Sequence, residues 1–336
     1  MVDGRMVTLK TIAEECGLSS AAVSKALHHL PGVSESNAEM VRDKARELGY
    51  YPNAAARTLK TRQSRNVGVL FESGVSNEFF SAILDEIRDR LEDEDYDVTL
   101  LSNRHKRGSG YYGHVMRLQC DGVIVVHHIF DPEGMERLLA SPTPVVSIDS
   151  IHPGHTSVLS ENLEGMRDSV HYLAGMGHTH IAFVHGEMGD VTSQRIQGFR
   201  QGCAECGIEV PDDYVVAARF QDPAASREAT GRLLSLGVPP TCIMFPDDYS
   251  YLGGIAELSN RSLTVPDDMS CFGYDGMRLA ADLDPALTTY RQDAAGMGRI
   301  AVEALLREMG GDGTQDKEVI RVAGRVQLGG TVARID

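Results

Sequence analysis

The chain has 336 residues, 42% of them hydrophobic, enough to bury two or three domain cores. No run approaches about 18 apolar residues and the opening MVDGRMVTLK lacks the features of a secretion signal, so a cytoplasmic protein with no membrane partner is expected. Residues 1–65 carry 10 Lys+Arg against 7 Asp+Glu and the remainder 22 against 41, so the net −16 divides into a head of +3 and a body of −19, and only the head suits a polyanion.

Three short helices are predicted first. Thr8 caps LKTIAEECG, which stops at Gly17; Ser19 caps SAAVSKALHH, which Pro31 and Gly32 stop; Ser34 caps ESNAEMVRDKAREL, which stops at Gly49. Ala13, Val23, Leu27, Val33, Met40, Val41, Ala45 and Leu48 are the expected small core. A short helix, the tight turn Gly17-Leu18 and a second helix match a helix-turn-helix, whose second helix enters the DNA major groove. Ser20, Ala21, Ser24, Lys25 and His28 make the outer face of that helix small or polar, while Val23 and Leu27 point inward. Lys25 can reach a phosphate or a guanine edge, Ser20 a base or the backbone, and Ala21 a thymine methyl. A merely solvated helix face stays open as the second reading.

Next comes PNAAARTLK, Pro52 to Lys60. Its residues favour helix and Asn53 can cap it, yet it offers about two turns where an isolated helix needs roughly 12 to 15 residues. From Asn66 the pattern becomes βαβ: strands NVGVLF, DVTLLS, GVIVVH and VVSID alternate with helical FFSAILDEIRDRLEDE, SGYYGHVMRLQ and MERLLA. A second series, HIAFVHG, YVVAARF, CIMFP and MSCFGYD with its own helices, implies a second similar lobe of parallel sheet. Helix AGMGRIAVEALLREMG and the strand-like EVIRVAGRVQL close the chain, with no heptad tail.

Two such lobes bind solutes at the carboxyl ends of their strands. Asp149, Asp247 and Asp275 stand at those ends, and Arg195 opens the helix after HIAFVHG. Carboxylates beside an arginine grip vicinal hydroxyls through charge-assisted hydrogen bonds, which suits a sugar or polyol; an Asp after a strand is also a common turn or cap residue. The six cysteines are too scattered for a disulfide framework, and Cys203 and Cys206, though spaced C-x-x-C, lack a second pair. His127, His128, His152, His155, His178, His180 and His185 fit no tetrahedral set on one element. No metal and no cofactor is expected. An enzyme using the cleft acids would need a nucleophile motif, phosphate loop or metal set, and none is seen.

TLKTIAEECGLSSAAVSKAL, then GVSESNAEMVRDKARELGYYPNAAARTLKT and NVGVLF closely resemble the head and linker of the lactose/galactose repressor (LacI/GalR) family of bacterial transcription regulators. SNEFF, VVSID, ENLEG, GHTHIAFVHG, SQRIQGFR, DDYSYLGG, CFGYDG and LTTYRQD extend the resemblance along nearly the whole chain. It implies an α/β protein: a helix-turn-helix head over residues 1–52, a hinge helix and linker over 53–65, and a periplasmic-binding-protein-like body over 66–336. The lobes are expected at about 66–160 plus 293–322 and about 161–292 plus 323–336. It also implies a homodimer on a pseudopalindromic operator, a small-molecule effector in the cleft, and no catalysis. The solute-binding proteins of transport systems share the two-lobed fold, but would carry a secretion signal and no head.

The resemblance implies DNA contacts at Leu9, Ser19, Ser20, Ala21, Ser24, Lys25, His28, Ser34, Asn37, Tyr50, Asn53, Ala56, Arg57, Leu59 and Lys60. The hinge helix would fold between two copies in the minor groove, with Leu59 as the apolar wedge. Effector contacts are implied at Phe79, Phe80, Asp149, Arg195, Phe220, Asp247 and Asp275, with core packing the second reading of Phe79 and Phe80. Three departures stand out. Lys25 replaces the arginine of many relatives and lacks its bidentate fork. Pro223 stands where relatives often have a stacking aromatic, leaving stacking to Phe220, Phe79 or Phe80, and Asp247-Asp248 replaces Asn-Asp.

Overall fold

The computed structural model describes residues 7–27, 30–50, 63–71, 77–101, 110–126, 131–311 and 317–335. They divide into two compact units, one ending at Ser64 and one beginning at Arg65.

The first unit holds α1 (Leu9–Cys16), α2 (Ser20–Leu27) and α3 (Glu35–Glu47). Thr8 and Thr11 form a reciprocal capping box on α1, and Gly17 ends it in the left-handed region at φ 63°. The hydroxyls of Ser19 and Ser34 accept from Ala22 N and Asn37 N. Ile12, Ala13, Val23, Ala26, Ala38, Val41 and Ala45 are the buried core, with Leu27, Val33 and Leu48 packed against it. Met40, expected inside, is 46% exposed. Its neighbour Val41 shares the inward face with Ala38 and Ala45, and one residue is a turn of about 100° on a helix.

The second unit has two six-stranded sheets. The first takes β1 (Asn66–Phe71), β2 (Asp97–Leu101), β3 (Gly122–Val126), β4 (Val145–Ile148), β5 (Thr156–Ser160) and a late strand, β11 (Val319–Val322), in the order β11-β5-β4-β3-β1-β2. The helices α4 (Glu78–Asp93), α5 (Gly110–Leu118) and α6 (Pro132–Leu139) connect its early strands. The second sheet takes β6 (Ile181–His185), β7 (Val215–Ala217), β8 (Cys242–Met244), β9 (Ser270–Asp275), β10 (Thr288–Arg291) and the last strand, β12 (Arg325–Gln327), in the order β12-β10-β9-β8-β6-β7. Between them run α7 (Asn162–Gly175), α8 (Asp190–Glu205), α9 (Pro223–Leu233), α10 (Tyr251–Asn260), α11 (Arg278–Asp282) and α12 (Ala294–Met309). All pairings are parallel except β10 with β12.

Sequence pattern and fold part at β5, and the chain changes lobes twice near its end. The strand-like stretch EVIRVAGRVQL divides between the lobes: β11 pairs with β5 in one sheet and β12 with β10 in the other. Gly324 makes the crossing possible, because a Cβ there would run into Arg291 O and the Tyr290 ring. The strand β5, TSVLS, was not predicted because its polar residues mask a buried run. Ser157 Oγ shares a 2.9 Å hydrogen bond with Ser147 Oγ, and Thr156 Oγ1 donates to Glu308 Oε1 at 2.8 Å. The helix α12 follows β10 in sequence and packs into the first lobe's core, the lobe where the sequence places residues 293–322, through Met297, Ala301, Val302 and Leu305. The chain therefore passes between lobes near 161, 292 and 323, and the lobes touch at Glu78, whose Oε1 accepts from Arg278 N at 2.6 Å.

Candidate functional site

Arg195 anchors the inter-lobe site. It lies a turn and a half into α8, 5% exposed, with Nε donating to Asn162 Oδ1 at 2.8 Å and Nη1 to Pro246 O at 3.0 Å. Its guanidinium carbon lies 3.6 Å from the centre of the Tyr274 ring and 5.7 Å from that of Phe220. A planar cation between aromatic faces and two fixed acceptors has one orientation.

Asp149 and Asp275 end β4 and β9 at the carboxyl edges of their sheets, where the sequence placed them. Both adopt positive φ, 58° and 105°, a region that non-glycine residues rarely occupy and that gathers at binding sites. Loss of water pushes Asp149 up to about 6 against the opposing pull of Arg195. Burial holds Asp275 well above the usual carboxylate range, with Arg195 pulling it down and Asp247 and Asp248 pushing it up. Gln292 Nε2 donates to Asp275 Oδ1 at 2.7 Å.

Asp247 is 1% exposed, and its carboxylate is engaged with protein: Gln221 N and Ser250 Oγ donate to Oδ2 and Ser250 N to Oδ1, at 2.8, 2.9 and 2.7 Å. In the structure it holds the loop that carries Phe220. That ring lies over Gly186, where a Cβ would enter it, and Phe220 N donates to Glu187 Oε2. Asp248 is fully buried; Met277 N and Thr289 Oγ1 donate to its carboxylate at 2.7 and 2.6 Å, and burial raises it to about 7. Phe79 and Phe80 are each 6% exposed, packed with Phe71 and Ile83 in the first lobe's core. Pro223 is the first residue of α9, behind the Asp222 cap.

On the head, Ser19, Ser20, Ala21 and Lys25 are exposed and Ser24 is half-buried. Lys25 makes no ion pair among the described residues. Leu9 and Tyr50 lean on the core, Ser34 is occupied as a cap, and Asn37 is half-buried on α3. His28, Asn53, Ala56, Arg57, Leu59 and Lys60 lie outside the described residues, as do His127 and His128. Cys203 is buried and Cys206 exposed on the last turn of α8 and just past it.

Residues 8–53 match the family model described as bacterial regulatory proteins, lacI family, and residues 170–332 match the periplasmic binding protein-like domain. The HTH-type transcriptional repressor PurR of Vibrio cholerae serotype O1 is 30% identical over 93% of each chain. The chain belongs to the lacI family of bacterial regulatory proteins. Other members at similar distance are catabolite control protein A of Priestia megaterium, 29% identical over 96% of this chain and 98% of that one, and the repressor CytR of Escherichia coli, 29% over 90% of each. A lac repressor dimer bound to operator and an anti-inducer has the same fold, with a TM-score of 0.84, 23% identity and coverage of 98% of this chain and all of that one.

Within this family member, two cleft residues were not singled out from sequence. Asn162, 0% exposed at the start of α7, is the fork's partner, with Nδ2 donating to Ser160 O. Gln292, 5% exposed, is the partner of Asp275. Both lie where the chain passes between lobes, in ENLEG and RQD, and that position is the signal that could have found them.

Proposed function

We propose that the protein is a cytoplasmic, homodimeric transcription regulator, a repressor, that binds a pseudopalindromic operator and senses a small hydroxylated molecule without turning it over. The observation that carries this is a single chain joining a helix-turn-helix with a bare second-helix face to a body whose two lobes meet at a buried arginine flanked by carboxylates. The names of the relatives support the regulator, and the cellobiose and ribose bound by two proteins of the same fold support a sugar or polyol.

Residues 53–60 are the proposed hinge, a helix kept marginal so that its folding reports correct DNA and lobe arrangement together. Ligand need only prefer one lobe arrangement to shift DNA affinity. The test selects binding sites for the full-length protein from a randomised duplex library. A two-fold symmetric site should emerge, and replacing residues 53–60 with a flexible Gly/Ser linker should weaken it at least tenfold while sparing random DNA. Equal binding by parent and linker variant sinks the hinge; no enriched site sinks the regulator.

Lys25→Ala separates two roles on the selected site. A base contact should cost about 1 to 3 kcal/mol and relax preference at one position, whereas a phosphate contact should lower the salt slope by about one. Unchanged affinity and slope would remove Lys25 from the interface.

A further inference from the structure

The motif SNEFF gives its two aromatic rings to the core of the first lobe, while its glutamate reaches the second lobe. Glu78 is the first residue of α4, and its Oε1 accepts from Arg278 N, the first amide of α11, at 2.6 Å. Each end of this bond is fixed by its own lobe. Asn77 Oδ1 accepts from Phe79 N and Phe80 N at the start of α4, and both rings are buried. On the other side Met277 N donates to Asp248 Oδ2 at 2.7 Å, and Gly276 lies against Arg291, whose side chain a Cβ would enter.

Among the described residues the Arg278 amide has no acceptor in its own lobe, because Met277, at the cap position, offers no side-chain oxygen. A charged acceptor makes the stronger kind of hydrogen bond, and in a partly exposed place it biases an equilibrium by roughly threefold to tenfold. Only the Glu78 side chain spans the two fixed backbones, so a lobe rotation that parts them by more than about 1 to 2 Å breaks the bond. A second tie, Arg321 Nη1 to Gln194 Oε1 at 3.0 Å, adjoins the crossing at Val322, whose carbonyl accepts from Glu161 N at 2.9 Å. There the chain already joins the lobes. The Glu78 bond joins α4 to α11, and neither helix lies on a crossing.

Resting on the regulator reading above, we propose that Glu78 is a positioning residue for the ligand response. Its bond to the Arg278 amide is a latch that holds the lobe arrangement described and is broken in the alternative one, so its strength sets the balance that ligand shifts. The latch depends on Glu78 and on an N–H at position 278, not on the arginine side chain, which is 84% exposed and approaches Asp282 at 3.7 Å.

Hydrogen exchange read by mass spectrometry on the full-length protein tests this. Glu78→Ala removes the acceptor and Arg278→Pro the donor, proline being suited to the first position of a helix; Arg278→Ala keeps the amide and removes only the side chain. The crossings report on the lobes, through Glu161 N on Val322 O and Gly324 N on the Tyr290 hydroxyl. Glu78→Ala and Arg278→Pro should each speed exchange about threefold or more in peptides over residues 159–163 and 322–326 as well as in α11, and their double by no more than either. Arg278→Ala should match the parent, and Glu78→Gln, which keeps a neutral acceptor, should fall between parent and Glu78→Ala; that pair carries the test if the proline variant does not fold. Acceleration confined to α11 makes Glu78 a local cap and overturns the latch, as does exchange like the parent's throughout. On the duplex selected from the library, Glu78→Ala and Arg278→Pro should shift affinity about threefold or more in the same direction. Faster crossings with unchanged affinity overturn the part of Glu78 in regulation. If no duplex is enriched the regulator reading fails, and the exchange result still decides the latch.

Discussion

Arg195→Ala is expected to abolish the effect of ligand on DNA binding and to lower the stability of the body by about 3 kcal/mol. The substitution strands Asn162 Oδ1 and Pro246 O, both acceptors in a buried place, and strips Asp149 and Asp275 of their countercharge. It also empties the space against Tyr274, whose ring the guanidinium covers at 3.6 Å. A loss of this size lowers the melting temperature of a body this large by about 6 to 12 °C. Its pH dependence has a definite sign. Asp149 and Asp275 already titrate above their unfolded values, and without Arg195 they rise further. A carboxyl group raised on folding contributes stability that is full below its unfolded pKa and lost as pH rises through the folded one. The deficit against the parent should therefore be smaller near pH 5, where only the lost hydrogen bonds and packing count, and grow towards pH 8. Arg195→Lys keeps the charge without the fork, so it should recover part of the stability but not the response. A thermal denaturation series across pH, with and without ligand, reads both effects. A variant that melts with its parent at every pH would show that the buried guanidinium is not the organising charge of the cleft.

That central arginine was legible in the sequence; much of its surrounding was not. Local rules place Thr8, Gly17, Ser19 and Ser34, because a cap depends on a few adjacent residues, and the apolar runs of β1, β3, β4 and β6 declare buried parallel strands. Arg195 and Asp275 could be found for a related reason: ends of parallel strands are where such folds gather polar groups. What escaped was non-local. TSVLS becomes a strand because Ser147 and Glu308, 10 and 152 residues away from their partners, satisfy its hydroxyls. Asp247 looked like a ligand for the cleft, and only the fold shows Gln221 and Ser250 filling its carboxylate. Gln292 and Asn162 gain meaning only because the chain changes lobes beside them. The buried Phe79 and Phe80 show the limit from the other side, since a motif names residues without saying which way they face.

The end of the chain carries the second large effect. Thr331 is fully buried; its Oγ1 donates to Cys271 O and accepts from Thr288 N, and its carbonyl accepts from Cys271 N. Ala333 N donates to Ser270 Oγ, Ile335 N to Met176 O, and Val332 packs against the second lobe's core. His178, 1% exposed, is clamped between Thr241 Oγ1 at 2.9 Å and Ala333 O at 3.1 Å. Burial lowers its pKa, with the Ala333 carbonyl pulling the other way; Nε2–H donates to Ala333 O, and Nδ1 faces Thr241 Oγ1, whose hydroxyl also reaches His180 O at 3.2 Å. Deleting residues 331–336 removes these hydrogen bonds at about 1 kcal/mol net each, part of which water restores, for an expected loss of about 3 to 5 kcal/mol. The melting temperature should fall by about 6 to 20 °C. The histidine gives the deletion its own signature. A group whose folded pKa is depressed contributes stability that is present above its unfolded value, near 6.5, and lost as pH falls towards the folded one. The parent should therefore lose stability on acidification below about pH 6.5 through His178, and the deletion variant, with that ring released to water, should lose less over the same interval. Thermal melts of both proteins between pH 5 and pH 8 measure the difference. If the two curves run parallel, the tail stabilises the lobe without reaching His178; if they coincide, the closing strand of contacts adds nothing and the second lobe is held by its sheet and helices alone.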